Sequence, residues 1–379
     1  MRKLRTIQVV NVRWFNATAW YALFLSRLLR ENGHEALVLG LEGTDSFRKA
    51  EEWGLAPLAL PLNSAGPLAL PGLARSLRSL LRGYRPDVVD CHRGEYFFLW
   101  GLLKKLERNF ALVRTRGDQR PPRDNLLNRL LYAEVADALI ATNSGIADIF
   151  LDRFAVPSSK VFTVPGGVDT HLFYPDREEG RAARSAFGYR DEDFVVGILG
   201  RLDPVKGHEI LIRALGRLRR RHPELLGIRL LCIGAPAGMD CRDIELLCLE
   251  EGIAERTRIT GRVENVRACI NALDLGVLAS VASEAIARAA LEMLACDVPL
   301  LSSDIGVMPD ILPSELLVPL ADIDALAGML EVLRLDREKL EALRLAGRRA
   351  LEGLRPRNFL EGTLEAYAAA AAAGGMRFS

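Results

Sequence analysis

The chain has 379 residues, 49% of them hydrophobic and 26% charged, with a formal net charge of +1. That length exceeds one ordinary core and suits two domains. The near-neutral balance excludes nucleic acid as the main partner, because gripping a phosphate backbone needs a strong basic field. The six cysteines (Cys91, Cys232, Cys241, Cys248, Cys269 and Cys296) form no C-x-x-C pair and show no zinc spacing. They read as reduced, mostly buried small side chains of a cytoplasmic protein.

The N-terminal MRKLRTIQVVNVRWF starts basic, but its apolar stretch is broken by Gln8, Asn11 and Arg13 and no small-residue cleavage site follows. It predicts a first β-strand, not a signal peptide. No run approaches the roughly 18 apolar residues of a membrane span. β and α then alternate. Strands are expected at 7–12, 36–39, 88–91, 111–115 and 138–142, with amphipathic helices between them, as at 21–32 and 73–82. Continuous apolar strands separated by helices indicate a parallel sheet covered on both faces. The helix around 73–85 carries leucines on one side and arginines elsewhere. Both packing on the sheet and resting on an anionic membrane stay open for it. A weakly periodic stretch, 165–193, is read as the linker. A second series of strands follows at 194–199, 229–233, 258–260, 275–279 and 299–302. Helices at 322–333 and 337–354 close it, and a last helix runs through the alanines 367–373 to Gly374-Gly375. The expected fold class is α/β: two doubly wound, Rossmann-like domains facing across a cleft, at 1–170 and 171–354, with 355–379 a helix and tail packing back toward the first.

The second series opens FVVGILGRLDPVKGHEILIRAL. A strand ends at Leu199, Gly200 permits a tight turn, and a helix begins near Lys206–His208. Arg201 and Lys206 thus flank a strand-to-helix loop at the carboxyl edge of a parallel sheet, where ligands of open α/β folds bind. Arg with its fork and Lys as a point charge suit a diphosphate. Further on, SVASEAIARAALEMLACDVP places Glu284 and Glu292 eight residues apart. Within one helix that spacing is about 12 Å on a shared side, so the two carboxylates would touch two ends of one elongated ligand. Glu292 lies in a mostly apolar stretch, where a lone carboxylate calls for a polar partner.

These segments together (G-R-L-x-x-x-K-G, T-G-R-V, S-E-x7-E-M-L-A-C-D-V-P, G-V-M-P-D and the upstream V-P-G-G-V-D-T-H-L-F-Y-P) resemble glycosyltransferase family 4, of the GT-B fold. The resemblance implies a retaining enzyme that takes a sugar from a nucleoside-diphosphate sugar, with domain 1–170 binding the acceptor and domain 171–354 the donor. Arg201 and Lys206 would neutralise the diphosphate and, with Glu284, form the catalytic set. Glu292 would hold the ribose. Ala285, Ile286 and Ala287 would approach sugar or phosphate through backbone amides, and Gly234, Arg262 and Val263 would complete the donor site. On the acceptor side His92, Arg116, Asp118 and Asn16 are the candidates, with a lesser claim for Glu95. The departing phosphate oxygen would take the acceptor's proton, so neither a metal nor another cofactor is implied. The expected acceptor is a glycan or lipid-linked molecule, as in lipopolysaccharide or other envelope polysaccharide synthesis, with peripheral contact to the cell membrane.

The chain departs from the family in three loops: Ala285-Ile286-Ala287 replaces glycines, Ile233-Gly234-Ala235-Pro236 replaces Gly-Asp-Gly-Pro, and Trp14–Ala19 lacks a Gly-Gly pair. Those changes keep open a non-catalytic nucleotide-sugar-binding protein, and a sugar-nucleotide epimerase on the same fold is a further alternative, one that would need acid/base residues across the cleft. Two D-x-D spacings, at 191–193 and 322–324, read as a strand approach and a helix cap.

Overall fold

Strands β1 (Arg5–Val10), β2 (Glu35–Gly40), β3 (Leu58–Ala59), β4 (Val88–Cys91), β5 (Ala111–Arg116), β6 (Ala138–Ala141) and β7 (Val161–Thr163) form one sheet, in the order β3-β2-β1-β4-β5-β6-β7. Every pairing in it is parallel. The central strands are buried along their whole length, so β6 is wholly apolar, while β4 and β5 also carry Asp90, Arg114, Thr115 and Arg116 into the interior. The computed structural model describes residues 2–63, 66–223 and 227–374. Its chain divides into two compact units: the first ends at Gly166 and resumes at Pro356, and the second runs Gly167–Arg355.

The return of the chain to the first unit is made by helix Pro356–Ala373. Its Tyr367 is fully buried, donates through its hydroxyl to Asp90 Oδ2 at 2.8 Å and accepts from Gln8 Nε2 at 3.0 Å. Phe359 packs edge-on against Tyr21, their ring centres 4.5 Å apart. Gly375, expected to end this helix together with Gly374, lies outside the described residues.

The second unit has its own sheet: β8 (Phe194–Leu199), β9 (Ile228–Ile233), β10 (Thr257–Ile259), β11 (Leu275–Leu278), β12 (Leu300–Ser303) and β13 (Leu317–Val318), ordered β10-β9-β8-β11-β12-β13 and again all parallel. Val196 and Ile198 join a core with Leu211, Leu215 and Leu330 on one face. Val195 joins Leu231, Leu291 and Met293 on the other. Helices therefore cover both sides, as a doubly wound sheet requires.

Two expectations need correction. Residues 165–193 are not a linker: Arg177–Ala186 is a helix, capped by Asp176, whose carboxylate accepts from Glu179 N at 2.9 Å. It docks on helix Val266–Asn271 through Gly180 and through Arg267–Glu179 at 2.8 Å, so it belongs to the second unit. The units accordingly change over at Gly166–Gly167, ahead of position 170. Helix Leu70–Tyr84 buries Leu73, Leu77 and Leu81 and engages Glu107 with Arg78 and Arg82. The apolar face that would rest on a membrane is thus already covered. Among the described residues no helix is long and apolar enough to cross a membrane.

Candidate functional site

In the second sheet the chain steps from β8 outward to β9 and β10, then returns to the other flank of β8 with β11. The loops leaving β8 and β11 diverge there, and such a switch point is where open α/β sheets hold ligands. Here the two loops are fastened together. Val281 N donates to Val205 O at 3.0 Å. Gly207 has φ +73° and passes so close to β11's exit that a Cβ would stand 1.8 Å from Ala279 O. Across this seam Lys206 Nζ meets Glu284 Oε1 at 2.6 Å, and Ser280 Oγ donates to the same oxygen at 2.5 Å. Glu284 is 4% exposed and Lys206 23% at the side chain. Val307 N, in the loop after β12, donates to Glu284 O at 2.9 Å and fixes the backbone that presents the carboxylate.

Two helices begin at this seam, His208–Arg221 and Arg288–Ala295. Neither has a side-chain cap at its first turn, although Asp176, Asp240, Asn265, Asp322 and Asp336 cap their own helices in the same unit. Helix N-termini of this kind favour an anion. The missing caps could have been noticed in the sequence, since Gly207 and Ala287 stand where Ser, Thr, Asp or Asn would be usual.

The remaining donor-side candidates are placed as follows. Arg201 is on the β8 loop, 67% exposed, its Nη2 3.4 Å from Asp203 Oδ2. Gly234 comes within bonding reach of the β10 loop, its N 3.3 Å from Thr260 Oγ1, and it lies so close to Gly200 O that a Cβ would stand at 1.8 Å. Gly261 bridges to Gly234, which brings the exposed Arg262 and half-buried Val263 beside it. Ala285, Ile286 and Ala287 are buried. Glu292 is on helix Arg288–Ala295, nearly buried, with Arg288 Nη2 at 2.7 Å. Its charge, behind the larger effect of burial, helps push the Cys296 thiol up to about 12. The helix starts only at Arg288, so Glu284 lies outside it and the shared-side spacing expected of Glu284 and Glu292 does not arise. The structure joins Lys206 to Glu284 and gives Arg201 and Glu292 other partners.

In the first unit the switch point falls between β1 and β4. A cavity of about 690 Å³, lined wholly by first-unit residues, brings together His92, Arg116 and Asp118, with Glu95 and Thr18. Asn16 is not among its walls. Its Oδ1 caps helix Ala17–Glu31 by accepting from Ala19 N at 3.0 Å. His92 is 1% exposed, with Nε2 2.9 Å from Gln8 Oε1. Burial holds its pKa below the ordinary histidine value, so the ring is neutral at pH 7. Asp118 is half-exposed and accepts from Arg120 N at 3.0 Å. Arg114, which is not among the sequence candidates, lines this cavity too. A charged residue inside a buried parallel strand was the available signal. Three of the four D-x-D carboxylates are engaged elsewhere: Asp193 with Arg229 at 3.0 Å, Asp322 as a helix cap, and Asp324 with Arg217 and Arg221.

Two parallel α/β units, each with a loop-built site at its switch point, define a GT-B architecture. The model of glycosyltransferase family 4 matches residues 18–172, and that of glycosyl transferases group 1 matches residues 193–336. The chain belongs to glycosyltransferase family 4. It is similar to the D-inositol 3-phosphate glycosyltransferase of Jonesia denitrificans, 28% identical over 242 residues that cover 62% of this chain and 57% of that protein. The chain spans about half the length of the curated relatives it matches. Among solved structures it is similar to a glycosyltransferase from Rickettsia africae ESF-5, with a TM-score of 0.84 at 16% identity, covering 98% of this chain and 99% of that one. It is also similar to Anabaena Alr3699/HepE in complex with UDP and glucose, with a TM-score of 0.80 at 16% identity over 96% and 98% of the two chains. At those identities the structural likeness speaks for the fold.

Proposed function

We propose that this protein is a retaining glycosyltransferase that carries a sugar from a nucleoside-diphosphate sugar to a hydroxyl of an acceptor. The observation that carries the reading is the Lys206–Glu284 pair, held across the seam of the second switch point where two helices begin without side-chain caps. Lys206, Arg201 and the two helix ends would stabilise the diphosphate as negative charge builds on it during bond cleavage, so fixed positive groups there lower the barrier directly. Glu284 would accept hydrogen bonds from sugar hydroxyls, and Glu292 would hold the ribose. The amides of Ala285–Ala287 would approach the sugar, while Gly234, Arg262 and Val263 would border the base. The departing phosphate oxygen takes the acceptor's proton, and the residues named require no metal. The complex of Anabaena Alr3699/HepE with UDP and glucose supports this choice of donor. His92, Arg116 and Asp118 would receive the acceptor in the first unit. The curated relatives are named for D-inositol 3-phosphate and not for a lipopolysaccharide, so the acceptor is to be sought among small hydroxyl compounds as well as glycans.

A melting screen across nucleoside-diphosphate sugars tests the reading, because a ligand that binds only the folded state raises Tm by mass action. The preferred donor should raise Tm most. Lys206→Ala should then lower sugar transfer by about 10²- to 10³-fold. A protein whose melting no nucleotide sugar shifts at millimolar concentration would end the proposal. Binding without turnover, unchanged by Lys206→Ala, would leave the non-catalytic alternative.

A further inference from the structure

The first-unit cavity holds more positive charge than its proposed acceptor role explains. Arg114 and Arg116 are two residues apart on β5 and so stand on the same face of the strand. Both are buried, at 3% and 7% exposure. Arg114 Nη1 donates to Cys91 O at 2.8 Å and to Thr115 O, and Arg116 Nη2 donates to Arg120 O. The Nε of each has no hydrogen-bond partner. Among the described residues neither guanidinium has a carboxylate within 4.0 Å. The two carboxylates of the cavity are otherwise engaged, Glu95 with both Arg93 Nε and Nη2 at 3.1 and 2.6 Å, and Asp118 with Arg120.

Burying a guanidinium without a counter-ion is costly, and burying two side by side adds their mutual repulsion. Desolvation first, and then the neighbouring Arg114 charge, lowers the Arg116 pKa to about 10, which still leaves it protonated at neutral pH. Such an arrangement is stabilised once an anion enters between the charges. The cavity walls carry four guanidiniums (Arg93, Arg114, Arg116 and Arg123) and two carboxylates, an excess of two positive charges. A phosphomonoester brings roughly −1.5 to −2 at pH 7. The volume of about 690 Å³ lies in the range of small-molecule sites.

We infer that this cavity binds a phosphomonoester carried by the acceptor, gripped by Arg114 and Arg116, with Arg123 at the exposed margin and neutral His92 available to the acceptor's hydroxyls. The inference rests on the acceptor role proposed for the first unit, but its test reads binding without turnover. The full chain is melted with increasing inorganic phosphate, with acetate at equal ionic strength as the control. Phosphate should raise Tm saturably and acetate should not. Arg116→Gln should weaken the response about tenfold or more, whereas Arg349→Gln, at an exposed position of the other unit, should leave it intact. No phosphate response in the wild type, or one abolished by Lys206→Gln and kept by Arg116→Gln, overturns the assignment. Should Arg116→Gln fail to fold, wild-type crystals soaked in tungstate decide the matter. A tungsten peak within hydrogen-bonding reach of Arg114 and Arg116 is expected, and a peak only beside Lys206, or none, refutes it. sn-Glycerol 3-phosphate against phosphatidic acid vesicles then tells a soluble carrier from a lipid. A phosphate response without any nucleotide-sugar response would sink the donor reading and leave this one standing.

Discussion

Replacing Gly207 by alanine tests whether the two loops of the second switch point are held together as described. The new methyl would stand 1.8 Å from Ala279 O, whereas ordinary contact begins near 3.4 Å. The seam must therefore open by about 1.5 Å, which strains the Val281–Val205 hydrogen bond and the Lys206–Glu284 pair. The variant also carries the penalty of an alanine at φ +73°, about 1 kcal/mol. Gly188→Ala separates the two effects, since Gly188 has φ +74° with open space around its Cβ position. Strain alone predicts equal losses. The seam predicts a further 1–3 kcal/mol for Gly207→Ala, or roughly 2–12 °C in Tm beyond the control at about 2–4 °C per kcal/mol. A misplacement of about 1 Å costs roughly 10²-fold in turnover, so sugar transfer should collapse in Gly207→Ala and persist in Gly188→Ala. Melting curves with and without the preferred nucleotide sugar, followed by transfer assays, read both quantities. Two variants with equal Tm and equal donor response would refute the close approach and the site built on it.

Tyr367→Phe removes one hydrogen bond to the buried Asp90 and one from Gln8. Urea unfolding should show a loss of about 2–4 kcal/mol, with no change in how the second unit responds to nucleotides. Glu292→Gln should weaken donor binding about tenfold while Tm of the free protein moves little, because its visible partner, Arg288, is a neighbour on the same helix. His208 is 1% exposed, and burial, followed by the Lys206 charge, lowers its pKa from 6.5 to about 4. Folded protein then resists protonation that the unfolded chain accepts. The stability His208 contributes is present above pH 6.5 and is lost as pH falls toward 4, by about 2 kcal/mol between pH 7 and pH 5. Urea midpoints at the two pH values should differ less in His208→Leu than in the wild type, and an equal difference would contradict the burial.

Strand β8 was legible because parallel strands covered on both faces leave unbroken apolar runs, as in FVVGIL, whereas ALVRTR is apolar only in its first half. Helix Arg177–Ala186 was not legible. Its sequence REEGRAARSA buries only Gly180, and contact through a glycine leaves no apolar stripe for periodicity to find. Edge strands β3, β7 and β13 have two or three residues each, too few to establish a period. Lys206 and Glu284 stood out as a spacing, but their meeting depends on Gly207 and on the Val281–Val205 bond, contacts between segments over seventy positions apart. Arg114 is not legible as a site residue, because a sequence shows a charge in a strand without showing whether a counter-ion lies nearby.

Helix Pro356–Ala373 gives the molecule an unusual order of completion. Asp90 and Gln8 emerge early in synthesis, yet the hydroxyl that joins them belongs to Tyr367. The first unit translated is thus the last to be finished, and the whole intervening second unit can fold before the earlier one closes. A nascent chain halted after Arg355 would hold an intact later half beside an earlier half with two polar groups left open in its interior.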